Sequence, residues 1–180
     1  MPFSLLIGKK MEKIAVFGSA FNPPTLGHKS VIDSLEHFDR ILLVPSISHA
    51  WGKEMLNYEI RCQLIDAFIS DLASNKLERC TVEQDLINPG ESVTTYAVLE
   101  RLQEIFPNAD ITFVVGPDNL FNFGKFFKSK EILQRWSVMA CPEKVKVRST
   151  DIRQRLAEKG DVSSMTTPSV EHLLRKLDVY

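Results

Sequence analysis

A glycine turn, a threonine and a histidine three residues beyond it are the groups of this chain best suited to phosphate chemistry. The run Gly18-Ser19-Ala20-Phe21-Asn22-Pro23-Pro24-Thr25-Leu26-Gly27-His28 follows the apolar stretch Ile14-Ala15-Val16-Phe17 and leads into an amphipathic one. That order predicts strand, loop and helix, a junction able to hold phosphate on backbone N–H groups at the positive end of a helix. Gly18 lets a triphosphate approach the backbone closely. Asn22 can cap or bridge within the turn, and Pro23 and Pro24 stiffen it. Thr25 offers a hydroxyl, Gly27 permits close packing, and His28 can donate from its ring to an oxygen that gains charge. The spacing is neither a dinucleotide GxGxxG nor a Walker A loop. A lone histidine after a turn is more often structural; the strand, the glycine, the prolines and the T-L-G-H run together favour catalysis.

Two later segments repeat the logic. Phe113-Val114-Val115-Gly116-Pro117-Asp118-Asn119-Leu120 reads as a strand closed by a glycine turn. Asp118 can accept from ribose hydroxyls or, equally, cap a helix. In Val147-Arg148-Ser149-Thr150-Asp151-Ile152-Arg153, Ser149 and Thr150 can cap the next helix and donate to phosphate, with Arg153 one turn on. A plain capped helix with a surface arginine fits those residues as well. Phe121, Phe123, Phe126 and Phe127 cluster, and helical spacing would put Phe123 and Phe127 on one side.

The elements that must position these groups alternate. Strands are expected at Ile14–Phe17, Ile41–Val44, Leu77–Val82, Ile111–Val115 and Trp136–Ala140. Helices are expected at Lys29–His37, Tyr58–Leu72, Thr94–Ile105, Lys130–Arg135, Asp151–Glu158 and Pro168–Leu177. Strands apolar on both sides, separated by helices, predict α/β architecture: a single doubly wound, Rossmann-like domain with a mostly parallel sheet. Ligands of such sheets lie beyond the carboxyl ends of the strands, where both glycine turns would open.

The 180 residues suffice for one sizeable core, and 44% hydrophobic with 25% charged residues is ordinary composition. A net charge of −1 gives no overall pull toward a nucleic acid polymer or an anionic membrane. Basic residues outnumber acidic ones from Lys125 to Lys159, which suits either a polyphosphate-facing side or a mixed solvated surface. Cys62, Cys80 and Cys141 form no CxxC pair, which suggests reduced thiols and a cytoplasmic location. No apolar run approaches the ~18 residues of a membrane span. Met11 stands just before the first strand, so residues 1–10 are expected to be an N-terminal extension to a domain of residues 11–180.

The ordered set of motifs resembles the HxGH/TxGH nucleotidyltransferases, more narrowly the bacterial nicotinate or nicotinamide mononucleotide adenylyltransferases, over about Lys13 to Leu177. The resemblance implies that His28 contacts the ATP phosphates and stabilises the transition state, with Thr25 at the motif's opening position. It implies catalytic roles for His28, Thr25 and Arg153. It places Gly18, Ser19, Phe21, Gly27, Gly116, Asp118, Ser149 and Thr150 with His28 and Arg153 around ATP. Asn22, Thr95, Phe126, Trp51 and Lys53 fall on the mononucleotide side; Thr95 would face the acyl group of the pyridine ring, with helix capping as its plain alternative. Phe126 stands where family members have a stacking tryptophan, and Arg148 where a small residue is frequent. The implied reaction joins a pyridine mononucleotide to AMP from ATP, with Mg²⁺ and release of pyrophosphate. The alternatives are another acceptor such as phosphopantetheine, and a non-catalytic nucleotide sensor. The string leaves homo-oligomerisation and the choice of pyridine acid or amide open.

Overall fold

In the computed structural model, residues 11–47 and 55–180 are described. The expected extension 1–10, and Trp51 and Lys53, lie outside the described residues. Five strands form one sheet: β1 (Lys13–Ser19), β2 (Arg40–Pro45), β3 (Leu77–Arg79), β4 (Asp110–Val115) and β5 (Ser137–Ala140). Their order is β3-β2-β1-β4-β5, and every pairing is parallel. The connections are α1 (Leu26–Ile32), α2 (Tyr58–Leu72), α3 (Thr95–Ile105), α4 (Pro117–Phe121) and α5 (Ser129–Arg135), followed by α6 (Ser149–Ala157) and α7 (Pro168–Leu177).

Alternation along β1 builds two cores. Ala15 and Phe17 face α1, α2, α6 and α7 through residues such as Val31, Leu64, Phe68, Ile152 and Leu174. Ile14 and Val16 face α3 and α5 through Val98, Leu99, Leu102 and Ile132. A strand covered on both sides needs apolar residues at every position, which is why its sequence is a continuous run. Strand order reverses between β2-β1 and β4-β5, so the connections diverge and leave a crevice above β1 and β4.

Three sequence expectations change. The third strand ends at Arg79 instead of running to Val82, because Val82–Leu86 winds into a 3-10 turn. The first helix starts at Leu26 and ends at Ile32, with a 3-10 turn over Asp33–Leu35, instead of running from Lys29 to His37. Thr25 supplies its cap, and the Leu26 N–H donates to Met165 O at 3.0 Å, which anchors the start early. Phe123 and Phe127 do not share a side. The helix stops at Phe121, a 3-10 turn spans Phe123–Lys125, and Lys128 has φ +54, so Phe123 is buried while Phe127 is exposed.

The first turn of α2 carries a buried arginine. Arg61 is 1% exposed and donates to Ala20 O at 2.9 Å, Ser46 O at 2.6 Å and Leu56 O at 2.9 Å. It thereby ties the segments after β1 and β2 to the start of α2. Beside it Glu83 accepts from the Ile47 N–H at 2.7 Å, and burial raises its carboxyl to about 7. A carboxyl raised in the folded state stabilises fully below its unfolded value near 4.5, and that contribution is lost as pH rises through 7. Glu83→Gln is therefore expected to be more stable than the parent at pH 8 by about 1–2 kcal/mol, with the gain gone at pH 4. Urea titrations at both pH values check this; an equal difference at the two would contradict it.

Candidate active site

The crevice above β1 and β4 holds a cavity of about 700 Å³. Its floor is Gly18, Ser19, Val115 and Gly116, at the carboxyl ends of the two strands. His28 forms one wall, and Asp118 and Asn119 at the start of α4 form another. Lys146, Arg148 and Asp151 close it from the segment leading into α6.

His28 is held by a reciprocal cap. The Thr25 hydroxyl accepts from the His28 N–H at 3.2 Å, and His28 Nδ1 accepts from the Thr25 N–H at 3.0 Å. This is a capping box with histidine where glutamate is usual. An Nδ1 that accepts a backbone N–H carries no proton, so the neutral ring carries its proton on Nε2. Nε2 lies 3.0 Å from Ser19 Oγ, on the cavity side. Burial lowers this imidazole from 6.5 to about 4, and the accepted N–H opposes protonation further. His28 is thus a neutral donor aimed from Nε2. Because its folded value is depressed, stability is lost as pH falls from 6.5 toward 4, where only the unfolded chain takes up the proton. Nitrogen-15 spectra of the imidazoles are expected to show His28 neutral and Nε2-protonated at pH 6. A ring already half-protonated near 6.5 would contradict this.

The same contacts revise the helix-end reading. Among the first amides of α1, Leu26 N–H is taken by Met165 O and His28 N–H by Thr25, while Thr25 N–H is on the imidazole. The cavity floor is made instead by the Gly18 backbone and Ser19, with the imidazole beside them.

Thr25 is 1% exposed, and its hydroxyl donates to Val147 O at 3.0 Å, so it orders the histidine from inside and does not face the cavity. Phe21 is likewise buried, with its ring centroid 4.8 Å from that of His28. Gly27 packs so closely on the 145–147 segment that a Cβ would collide with Val147 O. Ser149 does not cap α6. The cap is Arg148, whose N–H donates to Asp151 Oδ2 at 3.0 Å, and the Ser149 hydroxyl donates to Pro23 O at 2.7 Å. Arg153 lies behind the first loop, donating to Asn22 O at 2.7 Å and to Thr150 Oγ1 at 3.2 Å. Ser149, Thr150 and Arg153 therefore join α6 to the first loop and are not part of the cavity lining in this state. Asp118 does line it, 4.0 Å from Arg148; both side chains are well exposed, so the pair contributes little stability. Thr94, not Thr95, caps α3, accepting from Ala97 N–H at 3.2 Å, which leaves the Thr95 hydroxyl uncommitted among the described residues. Phe126 is half-buried against Phe113 and Phe123 and lies outside the cavity lining.

The chain matches the cytidylyltransferase-like family over residues 16–155. The chain belongs to the cytidylyltransferase-like family. The match spans both glycine turns and the start of α6. A probable nicotinate-nucleotide adenylyltransferase of Myxococcus xanthus is 30% identical over 172 residues, covering 87% of this chain and 88% of that protein. A crystal structure of a Vibrio parahaemolyticus protein, provisionally described as a nicotinate-nucleotide adenylyltransferase, is 61% identical with a TM-score of 0.84. The alignment covers 92% of this chain and 99% of that one. The Plasmodium falciparum nicotinic acid mononucleotide adenylyltransferase complexed with NaAD shares the fold, with a TM-score of 0.73 at 17% identity over 94% and 97% of the two chains.

Sequence reasoning did not single out Lys146. The signal was present: in Lys144-Val145-Lys146-Val147-Arg148 the cations alternate with valines, so an extended backbone turns them to one side. Arg61 and Tyr180 gave no such signal, because an arginine in an amphipathic helix and a tyrosine after one are ordinary residues. No helix among the described residues is long and apolar enough to cross a membrane. Nor do the described residues contain a group of three or more His, Cys, Asp or Glu side chains able to hold a metal ion.

Proposed function

We propose that this protein transfers the adenylyl group of ATP to a pyridine mononucleotide. A phosphate oxygen of the mononucleotide attacks the α-phosphorus of ATP. The bond from that phosphorus to the bridging oxygen breaks, and pyrophosphate leaves with the electron pair. The observation that carries this reading is a neutral imidazole with its Nε2 proton aimed into a cavity at the switch point of a nucleotidyltransferase sheet. The attacking phosphate is already ionised near neutral pH, so the residues have to align and relieve charge, not abstract a proton.

His28 donates to the phosphate oxygens as charge develops, and Gly18, Ser19 and Gly116 admit the triphosphate. Asp118 takes the ribose hydroxyls, and Lys146 and Arg148 balance the polyphosphate. Arg153 meets the phosphates by exchanging its Asn22 carbonyl bond for them. Asn22, Thr95 and Phe126 belong to the mononucleotide side. The cavity carboxylates Asp118, Glu143 and Asp151 do not make a cage for a bare cation. Magnesium would come in with the triphosphate as part of the substrate, and the chemistry it would supply there is neutralisation of charge on the leaving pyrophosphate. The names of the relatives favour nicotinate mononucleotide as acceptor.

The test is a coupled assay with ATP, Mg²⁺ and, in separate reactions, nicotinate mononucleotide, nicotinamide mononucleotide and phosphopantetheine, with dinucleotide and pyrophosphate both measured. Equal amounts of both products with a pyridine mononucleotide are expected. Pyrophosphate released only with phosphopantetheine, or nucleotide bound without any product, would overturn the assignment.

A further inference from the structure

Tyr180 lies three residues beyond α7, yet its hydroxyl reaches the first loop and donates to Asn22 Oδ1. Burial holds this phenol well above its ordinary value, so it remains a protonated donor across the physiological range. Asn22 is 4% exposed, and the same Oδ1 also accepts from the Leu56 N–H at 3.2 Å. An amide oxygen has two acceptor positions, and both are filled. The carboxamide cannot flip without losing two hydrogen bonds. Its NH₂ group is left as the uncommitted end, with no acceptor among the described residues.

The main chain at the same point is also tied. Arg153 holds Asn22 O at 2.7 Å. The preceding residue, Phe21, has φ +47, a conformation that costs a bulky side chain about 1–3 kcal/mol and persists only where its surroundings enforce it. That strained residue packs on the His28 ring. The groups that hold the turn thus come from the start of α2, from α6 and from Tyr180.

We propose that Tyr180 is a positioning residue for the transfer: it fixes the Asn22 carboxamide so that the amide NH₂ is presented to the phosphate of the incoming mononucleotide. This rests on the adenylyl-transfer reading. It adds that acceptor binding depends on a residue distant in sequence from every nucleotide motif.

Tyr180→Phe keeps the packed ring and removes only the hydroxyl. The experiment measures steady-state rates with each substrate varied, the calorimetric Kd for nicotinate mononucleotide and the thermal midpoint, for the parent, Tyr180→Phe, Asn22→Ala and the double variant. Tyr180→Phe is expected to raise KM and Kd for the mononucleotide about 5–10-fold, the size of one lost hydrogen bond. KM for ATP is expected to stay within about twofold. Asn22→Ala is expected to show a similar or larger loss, and adding Tyr180→Phe to it no further loss, since the two act through one group. Unchanged mononucleotide KM and Kd in Tyr180→Phe would overturn the proposal. So would equal weakening of both substrates with a lowered midpoint, or fully additive losses in the double variant. A parent that binds the mononucleotide but makes no dinucleotide would defeat the adenylyl-transfer reading instead, and the Kd ratios would then decide on Tyr180 alone.

Discussion

His28→Ala is expected to lower turnover at saturating substrates by about 10²–10³-fold, the scale of losing one preorganised donor to developing charge. The substitution also removes the Nδ1 acceptor of the Thr25 N–H, so some stability must go with it. That share is about 1 kcal/mol, the usual worth of a helix cap. The loss of transition-state stabilisation, about 2.7–4 kcal/mol, exceeds it. The two are separable by measuring kcat together with urea unfolding. A well-folded variant that turns over near the parental rate would remove His28 from the chemistry. Unfolding without a change in the specific activity of the folded fraction would leave the residue as a cap alone.

Gly27→Ala is expected to combine a stability loss of about 1–3 kcal/mol with a fall of about tenfold or more in kcat/KM. The added Cβ would strike Val147 O and stand 3.1 Å from Val145 O and from Thr25 Oγ1. Two of these are backbone atoms, so no rotamer relieves the contact. The 145–147 segment must shift, and with it the Thr25 hydroxyl bond to Val147 O and the Lys146 and Arg148 side chains on the cavity wall. Gly18→Ala is the control. There a Cβ meets only Val44 O at 3.8 Å and the Phe113 ring at 4.0 Å, which is ordinary contact, so the protein folds and any loss falls on nucleotide binding. Chemical denaturation and ATP-dependent rates of both variants check the pair; a fully stable, fully active Gly27→Ala would show that the close approach carries no function.

The sheet was legible because β1, β2 and β4 are buried on both faces, which writes itself as uninterrupted apolar runs. α2 was legible because Ile60, Leu64, Ile65, Phe68, Ile69 and Leu72 recur at helical spacing, and the structure keeps the expected bounds of both α2 and α7. The strand-glycine-loop junctions pointed to Gly18, Ser19, His28, Gly116 and Asp118, and all five line the cavity. What the string could not supply is the direction in which a side chain spends its hydrogen bonds. Thr25, Ser149 and Arg153 are donors of the right kind near the right place. Their partners are the carbonyls of Val147, Pro23 and Asn22, which are 122, 126 and 131 residues away. Periodicity is local, so it carries no trace of such pairs. The aromatic cluster misled for a related reason: helical spacing was applied to Phe123 and Phe127 across a segment that leaves the helix at Phe121.

The central claim is that the ATP triphosphate lies on Gly18 and Ser19 with an oxygen on His28 Nε2. A crystal structure with a non-hydrolysable ATP analogue and nicotinate mononucleotide tests it directly. The account expects a phosphate oxygen at about 3 Å from His28 Nε2, in place of Ser19 Oγ, and the acceptor phosphate in line with the α-phosphorus. A triphosphate seated elsewhere, with His28 Nε2 still on Ser19, would contradict it.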